Sequence, residues 1–276
     1  MSGVLDAHIH LWDLSRRSYD WITAPVLKRT FALDEYLRAT TGTTSVILVQ
    51  ALHDPAETAD LLATAHEHRS TVHGVIGSLG GDDAAAGRLA ALAAGPGGDL
   101  LVGIRVSAAS LSRPLLLLAE SAGLTVDVLA SPADVPGIVA KARRHPEVTV
   151  VLDHLGGLVI GGMEWRAELT TLATVGAANV SYKFSGLATR GPGGRTPDRE
   201  LVAETTATLL TAVGAGRLLF GSDWPVALLG AGDPFAMART ALADAGADAG
   251  EVAQVMDTTA RSIYRAARSR LEGTMR

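Results

Sequence analysis

Residues 101–129 read LVGIRVSAASLSRPLLLLAESAGLTVDVL, and they contain one full repeat of the architecture. Leu101–Val106 is a short apolar run, Arg113–Ala122 has helical composition, and Leu124–Leu129 is apolar again. Gly123 follows the helical stretch, where a residue that accepts left-handed φ readily ends a helix. Near-continuous apolar runs suit strands covered on both faces, the condition of a parallel sheet. The same alternation extends in both directions. Further strands are predicted at Val4–His10, Ser45–Gln50, Val72–Ser78, Val148–Asp153, Val180–Phe184 and Leu218–Asp223. Helices are predicted at Pro55–Arg69, Ala84–Ala93, Pro132–Arg144, Glu164–Val175, Asp198–Val213, Pro234–Ala245 and Asp248–Arg265. The helix at Pro55 opens on Asp54-Pro55, an N-cap followed by Pro at the first helical position. Eight such units predict a single-domain α/β fold, a (β/α)8 TIM barrel over residues 1–276. The competing open doubly wound sheet would want a Gly-rich phosphate turn after the first strand, and the sequence has none there.

The bulk properties narrow the function. The chain has 276 residues, 47% hydrophobic and 19% charged, which excludes a disordered chain or a coiled coil. Its 24 Lys and Arg against 29 Asp and Glu give a net charge of −5 without basic runs, a poor match to nucleic acid or an anionic membrane. The absence of cysteine excludes disulfides, Cys-type zinc sites and thiol nucleophiles. The opening MSGVLDAHIH carries no basic n-region, and apolar runs are too short to span a bilayer, so a cytoplasmic location is expected. No helix face is conspicuously over-apolar, which leaves a homo-oligomer open.

In a barrel of this kind, polar residues at the C-terminal ends of strands carry the chemistry. Strand one ends Asp6-Ala7-His8-Ile9-His10, and the two-residue period puts His8 and His10 on one side. Two adjacent imidazoles need a shared partner, either a divalent metal or an anionic substrate. Asp6 is expected one layer deeper, orienting a neighbour. Strand eight ends Gly221-Ser222-Asp223-Trp224-Pro225, offering Asp223 as metal ligand, as general base for a water, or both. Strand six ends Asp153-His154, of which strand alternation admits one to the lumen, and His154 is preferred because a Gly pair follows it closely. Arg105 on strand four suits a carboxylate or a developing oxyanion, and equally a structural pair with a buried acid. Gln50, His53, Lys183 and Trp224 are further expected substrate contacts. An insertion at Leu11–Leu33 holds Trp12, Tyr19, Trp21 and Phe31 and reads as a cap over one end of the barrel. The Gly/Pro-rich stretch Arg190–Arg199 is either a lid or a plain surface loop.

These motifs, in this order over nearly the whole chain, resemble the amidohydrolase superfamily, specifically its amidohydrolase-2 type. They are Asp6-Ala7-His8-Ile9-His10-Leu11-Trp12, Val49-Gln50-Ala51, Gly103-Ile104-Arg105, Val151-Leu152-Asp153-His154-Leu155-Gly156, Lys183-Phe184-Ser185-Gly186 and Gly221-Ser222-Asp223-Trp224-Pro225. The resemblance is strongest to the branch of sugar-acid lactonases and sulfomuconolactone hydrolase. It implies a hydrolase of a small molecule, with His8, His10 and Asp223 holding one divalent ion, expected to be Zn2+, and His154 in the strand-six histidine role. Strand four offers Arg105 where many members carry a bridging Lys, and strand five ends Val128-Leu129-Ala130-Ser131 without a histidine. These departures argue against a binuclear site and against the superfamily's decarboxylases. The expected reaction is lactone opening by a water that Asp223 activates. The oxyanion is held by the metal, by Arg105 with the imidazoles, or by both. The alternative is a metal-dependent decarboxylase or another hydrolase of a small carboxylic or aromatic acid.

Overall fold

In the computed structural model, which describes residues 3–264 apart from Thr41, Thr44 and 81–83, eight strands form in chain order. They are Leu5–Ile9 (β1), Ser45–Val49 (β2), Val72–Gly77 (β3), Leu101–Ser107 (β4), Thr125–Leu129 (β5), Val150–Leu152 (β6), Val180–Ser185 (β7) and Leu218–Gly221 (β8). Each pairs in parallel with the next, in the order β1 to β8. The ring closes through a parallel bridge from Ile9 to Trp224, with Asp223 N donating to His8 O at 2.9 Å and His10 N to Trp224 O at 2.7 Å. The (β/α)8 barrel is thus the observed fold.

The helices are Leu33–Ala39 (α1), Pro55–Glu67 (α2), Ala85–Ala94 (α3), Arg113–Ala122 (α4), Val135–Ala142 (α5), Trp165–Val175 (α6), Arg199–Val213 (α7), Pro234–Asp244 (α8) and Ala249–Ala253 (α9). Asp54 caps α2 by accepting from Ala56 N, and Gly123 ends α4 at φ 65°. Two expectations change. The stretch after Asp248 is not one regular helix, because a π-helical turn at Gln254–Thr258 interrupts it before helix resumes to Tyr264; Arg265 lies outside the described residues. A short helix, α1, lies between the insertion and β2, where none was expected. Among the described residues no helix is long and apolar enough to cross a membrane.

Two hydrophobic clusters divide the core. The larger packs helices on the outer strand faces, with residues such as Val46, Leu48, Val126, Val128, Leu116, Ile138 and Leu209. The smaller takes alternate residues of six strands, Leu5, Ala7, Ile47, Val49, Ile76, Val102, Val151 and Leu219, and fills the barrel interior. Ala260 and Tyr264 from the last helical segment join it. On β5 and β7 the outer face is apolar, so alternation sends Asp127 and Lys183 inward. A register shift between Asp6 and Ile9 places an extra residue in β1. Such a bulge re-aims the side chains beyond it. Leu5 and Ala7 join the interior before it; Ile9 joins the outer core after it, leaving His8 and His10 to the interior.

Candidate active site

Four of the expected residues converge where β1, β6 and β8 end. His8 Nε2 lies 3.1 Å from His10 Nε2. Asp223 Oδ1 lies 3.7 Å from His8 Nε2 and 3.5 Å from His10 Nε2. The His8 and His154 rings are 4.6 Å apart, and donor atoms of His8, His154 and Asp223 fall within 4.8 Å of one another. All four side chains are buried.

The proton arrangement makes this convergence informative. His10 Nδ1 is 2.8 Å from Val49 O, a carbonyl that can only accept, so Nδ1 carries the proton and Nε2 is bare. His8 Nδ1 faces Asp153 Oδ1 at 3.5 Å, which favours the same tautomer. Burial, then the Lys183 charge, pushes the His8 pKa well below the ordinary value, so the ring is neutral. Two bare nitrogens and a carboxylate oxygen that has no hydrogen-bond partner among the described residues therefore face one point. A proton, a cation or an O–H donor relieves that, and a cation meets all three at once. Zn–N bonds of about 2.0–2.1 Å in a tetrahedron put ligand atoms roughly 3.4 Å apart. The observed separations of 3.1, 3.5 and 3.7 Å match, so these residues fit a divalent metal ion.

The backbone around the site is shaped for it. β8 stops at Gly221, whose Cα lies so close to β1 that an added Cβ would sit 2.6 Å from His8 Cβ. Asp223 then adopts φ 62°, and His154 and Leu155 adopt φ 50° and 55°. Left-handed backbone at a residue with a Cβ costs about 1–2 kcal/mol, and such residues gather where function requires it. Asp6 supports the turn. Its Oδ1 accepts from Ser222 N at 2.8 Å and its Oδ2 accepts from Tyr36 Oη at 2.7 Å. Burial raises the Asp6 pKa to about 6, opposed by these hydrogen bonds. Asp6 thus orients a neighbour as expected, though it turns away from the lumen because it precedes the bulge.

Beneath the histidines lies a buried column of charge. Lys183 Nζ bonds Asp127 Oδ2 and sits 3.2 Å from Asp153 Oδ1; Arg105 Nε is 2.9 Å from Asp153 Oδ2; Tyr264 Oη donates to Asp127 Oδ2 at 3.1 Å. Burial alone would raise Asp153, but Lys183, His8 and Arg105 hold it well below the usual carboxylate range. Burial raises the Asp223 carboxyl, and a positive charge on the neighbouring imidazoles, His154 foremost, lowers it; with those rings neutral, a cation among them would take that part. His154 is pushed down to about 4 chiefly by burial, and Ser185 Oγ meets its Nδ1 at 2.9 Å.

Several expected roles need correction. Lys183 is 0% exposed between two acids, so it supports the floor and does not touch substrate. Trp224 packs edge-on against Phe31 and Tyr36 at centroid distances of 5.2 and 5.5 Å, which anchors the insertion to the end of β8. Arg105 takes the structural side of its two readings: besides Asp153, its Nη1 donates to Gln50 O at 3.1 Å. Both Asp153 and His154 reach the site, because β6 ends at Leu152 and strand alternation no longer applies. Gln50 is buried with its Oε1 unbonded, and His53 is exposed within range of the Arg105 charge, which together with burial lowers its pKa. In the insertion, Trp12 packs on Tyr19, Trp21 and Phe31, and Trp21 Nε1 donates to Ala51 O at 3.1 Å, beside Gln50. Residues 191–196 form a hydrogen-bonded turn with its tip exposed: Gly191 N donates to Arg195 O, and Thr196 Oγ1 donates to Ala188 O and Ala231 O.

Comparison with known proteins places the chain in a family. The family profile described as Amidohydrolase matches residues 5–266. An L-fucono-1,5-lactonase of Burkholderia ambifaria is 33% identical over 248 residues, covering 83% of this chain and 82% of its own length. An L-fucono-1,5-lactonase of Burkholderia multivorans is 31% identical over 254 residues, covering 82% and 83%. Among solved structures, an amidohydrolase of Burkholderia multivorans with bound zinc aligns with a TM-score of 0.79 at 27% identity, over 95% of this chain and 99% of its own.

Proposed function

Because this chain belongs to the amidohydrolase family and is a hydrolase, we propose that its substrate is a small lactone, of the sugar-acid or muconolactone type, whose ring it opens with water. The observation that carries this reading is the approach of Asp223 Oδ1 to two bare imidazole nitrogens at 3.5 and 3.7 Å. It joins a base for water to a cation site in one pocket. The relatives that share about a third of the sequence carry the name of a lactonase.

Asp223, held ionised, takes a proton from water as the water oxygen bonds to the lactone carbonyl carbon. The tetrahedral species expels the ring oxygen, which recovers the proton from Asp223, and a hydroxy acid leaves. His154, neutral at physiological pH, positions the water or the leaving oxygen. Asp153 fixes the His8 ring, as a carboxylate behind a ligating imidazole does. A divalent ion held by His8, His10 and Asp223, which we take to be Zn2+, would act as a Lewis acid on the carbonyl.

A panel of L-fucono-1,5-lactone, other aldonolactones and muconolactones, followed by proton release, tests the reading. Aromatic acids followed by CO2 release run beside it. Lactone opening with a rate proportional to enzyme is expected. CO2 release without lactone opening would replace this reading with the decarboxylase.

A further inference from the structure

Arg105, a candidate for the oxyanion, is engaged by Asp153 and by the Gln50 carbonyl. Lys183, the other interior cation, is engaged by Asp127 and Asp153. A third cation, Arg190, stands one turn beyond the end of β7. The strand ends at Ser185, whose hydroxyl bonds His154. Gly186 follows at φ 68°, so near the site that an added Cβ would lie 3.1 Å from His154 Nδ1 and 3.3 Å from Asp223 Oδ2. One 3-10 turn, Leu187–Thr189, closed by Thr189 N to Gly186 O at 2.9 Å, leads to Arg190. Its carbonyl accepts from Ile160 N at 2.8 Å, which ties its backbone to the loop after β6.

Arg190 is mostly buried, and its Nε is shut off from solvent with no hydrogen-bond partner among the described residues. A buried donor without an acceptor is costly, and a charged one more so, unless a ligand supplies the acceptor. Its charge acts on both Asp223 and His154, the groups that would flank the reacting carbonyl. The two acids below are already matched by Lys183 and Arg105. With no carboxylate within ion-pair distance among the described residues, Arg190 is the pocket cation left for a ligand once a metal ion answers Asp223.

We propose that Arg190 is the anion-receiving group of this site: its guanidinium hydrogen-bonds the oxygen that turns negative as the lactone carbonyl is attacked, and then the carboxylate of the hydroxy-acid product. A planar fork of N–H donors suits both, since two parallel bonds can meet two carboxylate oxygens. The kinetic part rests on the lactonase reading above; the binding part does not. The pocket is thereby fitted to a product acid with its carboxylate at the centre of the site.

The test uses Arg190→Gln and Arg190→Lys in the full chain. Calorimetry measures binding of L-fuconate and of glycolate, and steady-state kinetics measures opening of L-fucono-1,5-lactone. Affinity for both acids is expected to fall about 10–100-fold in the glutamine variant, as for a lost charge-assisted bond, and less in the lysine variant. The rate constant kcat is expected to fall roughly 10²–10³-fold, as when an oxyanion donor is removed. The lysine variant, which keeps the charge, decides the matter should the glutamine variant fail to fold. Wild-type acid affinity in whichever variant folds, whatever its turnover, overturns the proposal, and so does a wild-type protein that binds neither acid. A wild-type protein that opens no lactone refutes the reaction but leaves the acid-binding result to judge Arg190.

Discussion

Replacing Lys183 by Met removes the cation between two carboxylates that are both fully buried, Asp127 and Asp153. Methionine fills most of the volume of the lysine stem, so packing changes little. Electrostatics change a great deal, because breaking a buried pair by deleting one partner costs about 3–5 kcal/mol. Arg105 still faces Asp153, whereas Asp127 keeps only neutral partners, the Tyr264 and Thr125 hydroxyls. With about 2–4 °C lost per kcal/mol in a domain of this size, thermal melting should fall by roughly 10 °C. The pH dependence has a defined sign. Burial already raises the Asp127 pKa to about 6 despite Lys183, and removing the lysine raises it further. A carboxyl that binds its proton more tightly in the folded state makes stability fall as pH rises through the folded value. The variant should therefore recover stability as pH is lowered from 7 towards 5, relative to wild type. The double variant Lys183→Met with Asp127→Asn should be less damaged than the sum of its parts. Calorimetric melting at several pH values measures all of this. A single variant melting within about 2 °C of wild type at pH 7, less than one kcal/mol, would refute the reasoning.

Other substitutions probe the site itself. Asp223→Asn should fold, yet turn over lactone at least about 10²-fold more slowly, since it lacks the base for water and one metal donor; turnover at the wild-type rate would exclude Asp223 from the reaction. Asp153→Asn weakens the hold on the His8 ring and should lower divalent-metal affinity about 10–100-fold by competition with a chelator, whereas unchanged affinity would separate Asp153 from the histidine. Gly186→Ala must adopt φ 68° and press on His154 and Asp223, so it should lose about 1–2 kcal/mol of stability together with most of kcat/KM. An alanine variant with wild-type kinetics would show that the close approach is immaterial.

The barrel was legible because its strands are covered on both sides, which leaves continuous apolar runs such as Val46–Val49 and Leu218–Phe220. Helix punctuation at Asp54-Pro55 and Gly123 was equally plain. His8, His10, His154 and Asp223 were legible as polar residues at the ends of such runs. What escaped were departures from regular strand geometry. Asp153 was set aside by strand alternation, yet the strand stops at Leu152 and the next residues turn left-handed. Asp6 shares the parity of His8 in the sequence, and a bulge gives it the opposite face. Lys183 reads as a polar residue near a strand end, and nothing local shows that Asp127, 56 residues earlier, meets it inside the barrel. Trp224 reads as a rim aromatic, but the rings it meets, Phe31 and Tyr36, lie nearly 200 residues away in the chain. Arg190 was hidden by composition, since it opens a Gly/Pro-rich stretch that reads as surface loop. Its one signal was its distance from the end of strand seven, a single turn.

Whether His8, His10 and Asp223 chelate a metal in the hydrolytic pocket is read from the metal content of the protein. Elemental analysis of wild-type protein equilibrated with zinc and then freed of unbound ion should find about one zinc per chain, and much less in His8→Asn. Wild-type protein that opens lactones at full rate while retaining no divalent metal would contradict the account.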